Sequence, residues 1–170
     1  KIPVTINNGY VMRAWYDVSF GDLEGESRQA DEKGIRASQA AIDGLLEREN
    51  RRGIESRRIV LAGFSQGGVM ALHTGLRCAE RLAGIMALST YVPLAEQLAK
   101  EASPANRDVP IFMAHGTADP MIAFARAQAS RELPCFGTTH ADHFFGTVPV
   151  ARALSKAEVD QDYEHHTGVA

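Results

Sequence analysis

A serine becomes a nucleophile only where a base can take its proton and the chain holds its hydroxyl clear of the packed interior. Gly63-Phe64-Ser65-Gln66-Gly67 is placed to meet the second condition. The uninterrupted apolar run from Ile59 to Gly63 precedes it and reads as a central strand covered on both faces. Val69, Met70, Leu72, His73 and Leu76 follow at helical spacing. Ser65 is therefore expected on a sharp strand-to-helix turn. Glycines at 63 and 67 would clear the space across the turn, and Gly68 would let the helix lie close. The helix start offers free N–H groups and the positive end of its dipole, so the Gln66 N–H is the expected donor to an oxyanion formed at a substrate carbonyl. The chemistry implied is acyl transfer through a covalent serine intermediate.

The partners of such a serine follow it in chain order, acid first and histidine second. His115-Gly116-Thr117-Ala118-Asp119-Pro120 comes directly after the apolar run 109–114, which makes Asp119 the candidate acid. Asp followed by Pro is also what a helix cap looks like, and Asp108 is the weaker alternative acid. Four histidines come later: His140, His143, His165 and His166. His143 is the expected base because it sits in a turn before apolar residues, with His140 the runner-up and the last pair read as polar tail. His73 and His115 precede the acid and are assigned structural roles. His140, Asp142 and His143 also resemble part of the HxHxDH motif of metallo-β-lactamase-fold hydrolases, which would make them zinc ligands. Thr138 stands where that motif needs its first histidine, and no second cluster completes a ligand set, so no metal and no cofactor are expected.

These residues need a sheet to hold them. Residues 2–18 suggest a hairpin around Asn7-Asn8-Gly9, and 29–51 a helix whose buried face carries Ile35, Ile42, Leu45 and Leu46. Strands follow at 59–63, 85–88 and 109–114, with a helix from 66 to 77 between the first two and another from Asp119 to about Arg131. This alternation predicts an α/β protein with a mostly parallel sheet covered by helices on both faces, forming a single domain over 1–170. The 170 residues are 45% apolar and 23% charged, an ordinary globular composition, and the net charge of −3 comes with interspersed signs. A nucleic-acid partner is not expected, and no run approaches the roughly 20 apolar residues of a membrane span. Cys78 and Cys135 read as small buried hydrophobes rather than a bridge. The start at Lys1, with no signal-peptide core, reads as a fragment of a cytoplasmic protein.

Taken together, Pro3 to Tyr10, Arg13 to Asp17, the stretch LAGFSQGG over 61–68, Leu88-Ser89-Thr90-Tyr91 and His115 to Pro120 resemble the bacterial carboxylesterase/phospholipase family. Its members are relatives of acyl-protein thioesterases, and the likeness covers residues 3 to 131. The resemblance implies an α/β-hydrolase fold and a serine esterase acting on short-chain carboxylic esters, with Ser65 as nucleophile, Asp119 as acid and Gln66 as half of the oxyanion hole. Trp15, Thr90 and Tyr91 are candidate substrate contacts by family position. Acyl-protein thioesterase or lysophospholipase activity, or a non-catalytic truncated hydrolase fold, are the alternatives, and a homodimer is entertained. The chain departs from the family twice. Nothing corresponds to the HGxG loop that supplies a second oxyanion donor, so the chain is read as N-terminally truncated. Residues 133–170 also diverge from the family's histidine segment, with Val150 near the histidine's position, whereas Ala141 to Phe145 resembles the base-bearing segment of other α/β-hydrolases.

Overall fold

The computed structural model describes residues 1–19, 21 and 30–133, together with the backbone of 145–146. The chain opens with an antiparallel pair, β1 (Ile2–Val4) and β2 (Tyr10–Met12), in the register Ile2↔Met12 and Val4↔Tyr10. The turn lies where Asn7-Asn8-Gly9 predicts it. Asn8 and Gly9 both take left-handed backbone, with φ of 55° and 73°, and these two residue types tolerate it.

Helix α1 (Glu32–Arg51) is capped by Asp31, whose carboxylate accepts from the Gly34 N–H. It buries Ile35, Ile42 and Leu46, while Leu45 is 47% exposed and lies off the expected face. Then come β3 (Val60–Phe64), α2 (Gln66–Arg77), β4 (Gly84–Leu88), α3 (Ala95–Glu101), β5 (Ile111–Ala114), α4 (Phe124–Arg131) and β6 (Phe145–Gly146). β3 to β6 form one parallel sheet in the order β3-β4-β5-β6. This is the α/β architecture expected from the alternation of strands and helices. Helix α3 is absent from the sequence-based expectation, since seven residues carry too little periodicity to stand out from the polar stretch around them.

Strand alternation sorts the sheet into two faces. Ile85, Ala87, Ile111 and Met113 join Leu46 of α1, Ala71, Leu72 and Leu76 of α2, Leu98 of α3 and Ala127 of α4 in one continuous core. The opposite face carries Val60, Phe64, Met86 and Phe112, each at least 40% exposed. β3 is the end strand of the four, where its unbroken apolar run predicts a central one. Such a run shows that both faces are apolar and says nothing of what covers them. Among the described residues, no helix is long and apolar enough to cross a membrane.

Candidate active site

Ser65 follows the last residue of β3 and precedes the first residue of α2. Its backbone has φ 51° and ψ −121°, a region L residues rarely enter. Three contacts hold it there. Its N–H donates to Leu88 O at 2.8 Å, and its carbonyl accepts from the Val69 N–H at 3.0 Å and from the Thr90 hydroxyl at 3.0 Å. The turn itself depends on glycine. A Cβ on Gly63 would lie 2.1 Å from Gly67 O, and one on Gly68 would lie 2.9 Å from the Thr90 side chain. Gly67 behaves differently: the nearest atom to a Cβ there is Trp15 Nε1 at 3.8 Å, so the glycine expected to clear the turn leaves room to spare.

Beside Ser65 opens a pocket of about 210 Å³ with mostly apolar walls. Val4, Ile6 and Met12 of the hairpin line it, as do Val69, Tyr91 and Ile122. Asn7, Arg13, Ala14, Tyr16, Val18 and Met121 also line it, together with Ser65 and Gln66. Tyr91 is buried, and the Arg126 guanidinium lies 3.8 Å above its ring centre. Thr90 is fully buried and is not part of the wall; it fastens the serine turn instead. Trp15 is 42% exposed and lies over the turn, outside the pocket lining.

Asp119 lies in the loop after β5, two strands along from Ser65 at the same carboxyl edge of the sheet. Its Oδ1 accepts from the Met121 and Ile122 N–H groups at 2.9 and 3.1 Å, which fixes the carboxylate plane. Its Oδ2 is 3.8 Å from His115 Nε2. The helix expected to open at Asp119 instead begins at Phe124, because Asp119 closes a local side-chain turn and no side chain caps the helix. His115 is buried, and its Nε2 is 2.9 Å from the Ile122 carbonyl, so the histidine and the aspartate together hold Ile122 against the pocket. Asp108 precedes β5 and pairs with Arg81, away from the edge that carries Ser65.

His73 is fully buried in α2, with Nε2 3.0 Å from Gln39 Oε1. Burial, with Arg77 and Arg36 nearby, lowers its pKa to about 4. Cys78 is half-buried, and its thiol is pushed up by burial. His140, His143, His165, His166 and Cys135 lie outside the described residues. Among the described residues, no three acidic, histidine or cysteine side chains converge on a metal-sized site.

Gln66 carries a feature the sequence does not advertise. Its side-chain oxygen accepts from the Trp15 N–H at 2.9 Å and its side-chain nitrogen donates to Tyr16 O at 2.8 Å, across some fifty residues of chain.

Residues 1–153 match the Phospholipase/Carboxylesterase family. The chain is 40% identical over 137 residues to acyl-protein thioesterase 1 of Gibberella zeae and 43% identical over 137 residues to that of Neurospora crassa. Each alignment takes in 78% of this chain, but only 58% and 56% of the relatives, so the chain spans little more than half their length. Among solved structures it is similar to Arabidopsis thaliana SOBER1, with a TM-score of 0.78 and 28% identity, covering 95% of this chain and 76% of that one. Zea mays acyl-protein thioesterase 2 gives a TM-score of 0.69 at 26% identity, covering 98% and 77%. These relatives are fungal and plant proteins, so the kinship is with the family at large and not specifically with its bacterial members. By family match, sequence identity and fold alike, the chain belongs to the phospholipase/carboxylesterase family of α/β-hydrolases.

Proposed function

We propose that the protein is a serine esterase in which Ser65 attacks the carbonyl of a short-chain carboxylic ester and carries the acyl group until water releases it. The observation that supports this most is the backbone of Ser65, held at φ 51° between a strand and a helix and opening onto an apolar pocket. Strain of this kind is kept where it aims a reactive side chain. In this reading the Gln66 N–H, at the first position of α2, donates to the oxyanion, and the helix dipole favours the developing charge.

Asp119 is the acid that orients the base and stabilises its protonated form. Two strand spacings put the exits of β3 and β5 about 10 Å apart, a gap that one histidine bonded at both ring nitrogens can bridge. His143 is the proposed base, with His140 the runner-up. A parallel sheet delivers to its carboxyl edge the residues that follow a strand; His140 and His143 precede β6 in the chain, and His165 and His166 follow it. That order favours the C-terminal pair, so the choice of His143 rests on its turn before apolar residues. Trp15 and Tyr91 are proposed to contact the leaving group and the acyl chain respectively, with Thr90 acting through the Ser65 turn. The thioester substrates named for the relatives are the second reading, since the same acyl-enzyme forms whether an alcohol or a thiol leaves.

Hydrolysis of p-nitrophenyl butyrate tests the assignment, with His143→Ala compared against a His165→Ala/His166→Ala double variant. The expected result is wild-type turnover, lost in His143→Ala and kept in the double variant. The reverse pattern would move the base to the C-terminal pair, and no turnover by the wild type would overturn the esterase reading for this chain.

A further inference from the structure

We infer that the side chain of Gln66 sets the acyl-chain preference of the pocket, by tying the pocket's outer wall to the nucleophile turn. This rests on the esterase reading for its substrate and on hydrogen bonds alone for its geometry. The wall is the stretch 13–18, which belongs to neither the hairpin nor a helix. Its backbone is fastened one group after another. The Trp15 N–H and the Tyr16 carbonyl go to the Gln66 carboxamide, and the Trp15 carbonyl accepts the Ser38 hydroxyl of α1. The Asp17 N–H donates to Asp31 Oδ2 at 2.9 Å, and the Val18 carbonyl accepts the Ile6 N–H at 2.9 Å. Of these anchors only Gln66 belongs to the turn that carries Ser65. Its carboxamide uses both its donor and its acceptor on two neighbouring residues, so it fixes the distance and the orientation of the wall together.

Arg13, Ala14 and Tyr16 line the pocket from this wall. Each methylene of an acyl chain buried against such a wall is worth about fourfold in affinity. A wall that shifts is therefore felt in proportion to chain length. An acetyl group, held next to Ser65, hardly senses it, whereas an octanoyl group loses contact along its length. Gln66 is thus a positioning residue through its side chain, separate from any role of its N–H.

Gln66→Met keeps the length and the N–H and removes both side-chain bonds. Ser38→Ala, remote from Ser65, removes one anchor of the same wall. The ratio of kcat/KM for p-nitrophenyl octanoate over acetate is expected to fall about tenfold in Gln66→Met and about threefold in Ser38→Ala, with the change in the octanoate KM. Isothermal titration with octanoate and butanoate reads the same wall without turnover, and octanoate binding is expected to weaken about tenfold in Gln66→Met while butanoate binding changes little. Equal changes for long and short chains, or none, would overturn the inference. If wild type hydrolyses neither ester, the esterase reading fails while the titration still decides the clamp. Failure of octanoate to bind wild type would sink the clamp as a determinant of chain preference. Should Gln66→Met not fold, the octanoate-to-acetate ratio of Ser38→Ala decides between the two outcomes.

Discussion

Replacing Gly63 by alanine should damage the protein more than replacing any other glycine of the turn. The added Cβ would sit 2.1 Å from Gly67 O, 2.2 Å from Gly67 C and 2.5 Å from Gly68 N. All three are backbone atoms of the first turn of α2, so no side chain can rotate out of the way. Restoring a contact of about 3.5 Å requires the helix start to move by more than about 1 Å. That helix buries every residue from Gly68 to Leu76, so the shift propagates into the core. Overpacking in a close-packed interior costs about 1–3 kcal/mol when side chains can adjust, and a rigid backbone clash belongs at or above the top of that range.

Gly68→Ala meets the Thr90 side chain at 2.9 Å and falls within the range. Gly67→Ala meets only Trp15 Nε1 at 3.8 Å and should lie between no change and about 1 kcal/mol of added stability, since alanine favours helix over glycine. Urea unfolding is the assay. With a slope of about 2 kcal/mol/M, a loss of about 3 kcal/mol lowers the midpoint by about 1.5 M. A Gly63→Ala midpoint within about 0.3 M of wild type, or a Gly67→Ala loss as large as that at Gly63, would refute the geometry of the turn.

Two further outcomes follow from the same contacts. Asp119→Asn keeps the oxygen that accepts from Met121 and Ile122, so stability should change by less than about 1 kcal/mol while turnover falls on the order of 10³–10⁴. Loss of stability with turnover intact would make Asp119 a turn residue alone. His73 titrates at about 4 in the fold against about 6.5 in an unfolded chain, so the unfolded state binds the extra proton between these values. Its contribution is complete above pH 6.5 and is lost as pH falls toward 4, by up to about 3 kcal/mol. His73→Gln should therefore flatten the fall in unfolding free energy from about pH 7 to about pH 4.5, and an unchanged slope would contradict the burial argument.

The strand, turn and helix around Ser65 are legible in the sequence because three independent local signals coincide there: an apolar run, paired glycines and a helical period. Asn7-Asn8-Gly9 announces its turn for a similarly local reason, the tolerance of Asn and Gly for positive φ. Asp119 is legible only as an ambiguity, and in the structure one carboxylate oxygen closes a turn while the other lies 3.8 Å from His115 Nε2. Contacts between distant segments are not legible. Nothing in the stretch 13–18 points to Gln66, and Thr90 reads as a substrate contact by family position, whereas the fold buries it against Gly68. The exposed face of β3 escapes for a related reason, since what covers a strand depends on elements far away in sequence. The two glycines at 63 and 67 look alike in a motif, and only the path of the helix separates them.

The proposed function depends on Ser65 being an activated nucleophile. The most direct measurement is labelling of the folded chain with a fluorophosphonate, followed by peptide mapping of the adduct. A single adduct is expected on the peptide containing Ser65, absent in Ser65→Ala and abolished by prior unfolding in urea. No adduct on the folded wild type, or equal labelling of the Ser65→Ala variant, would contradict it.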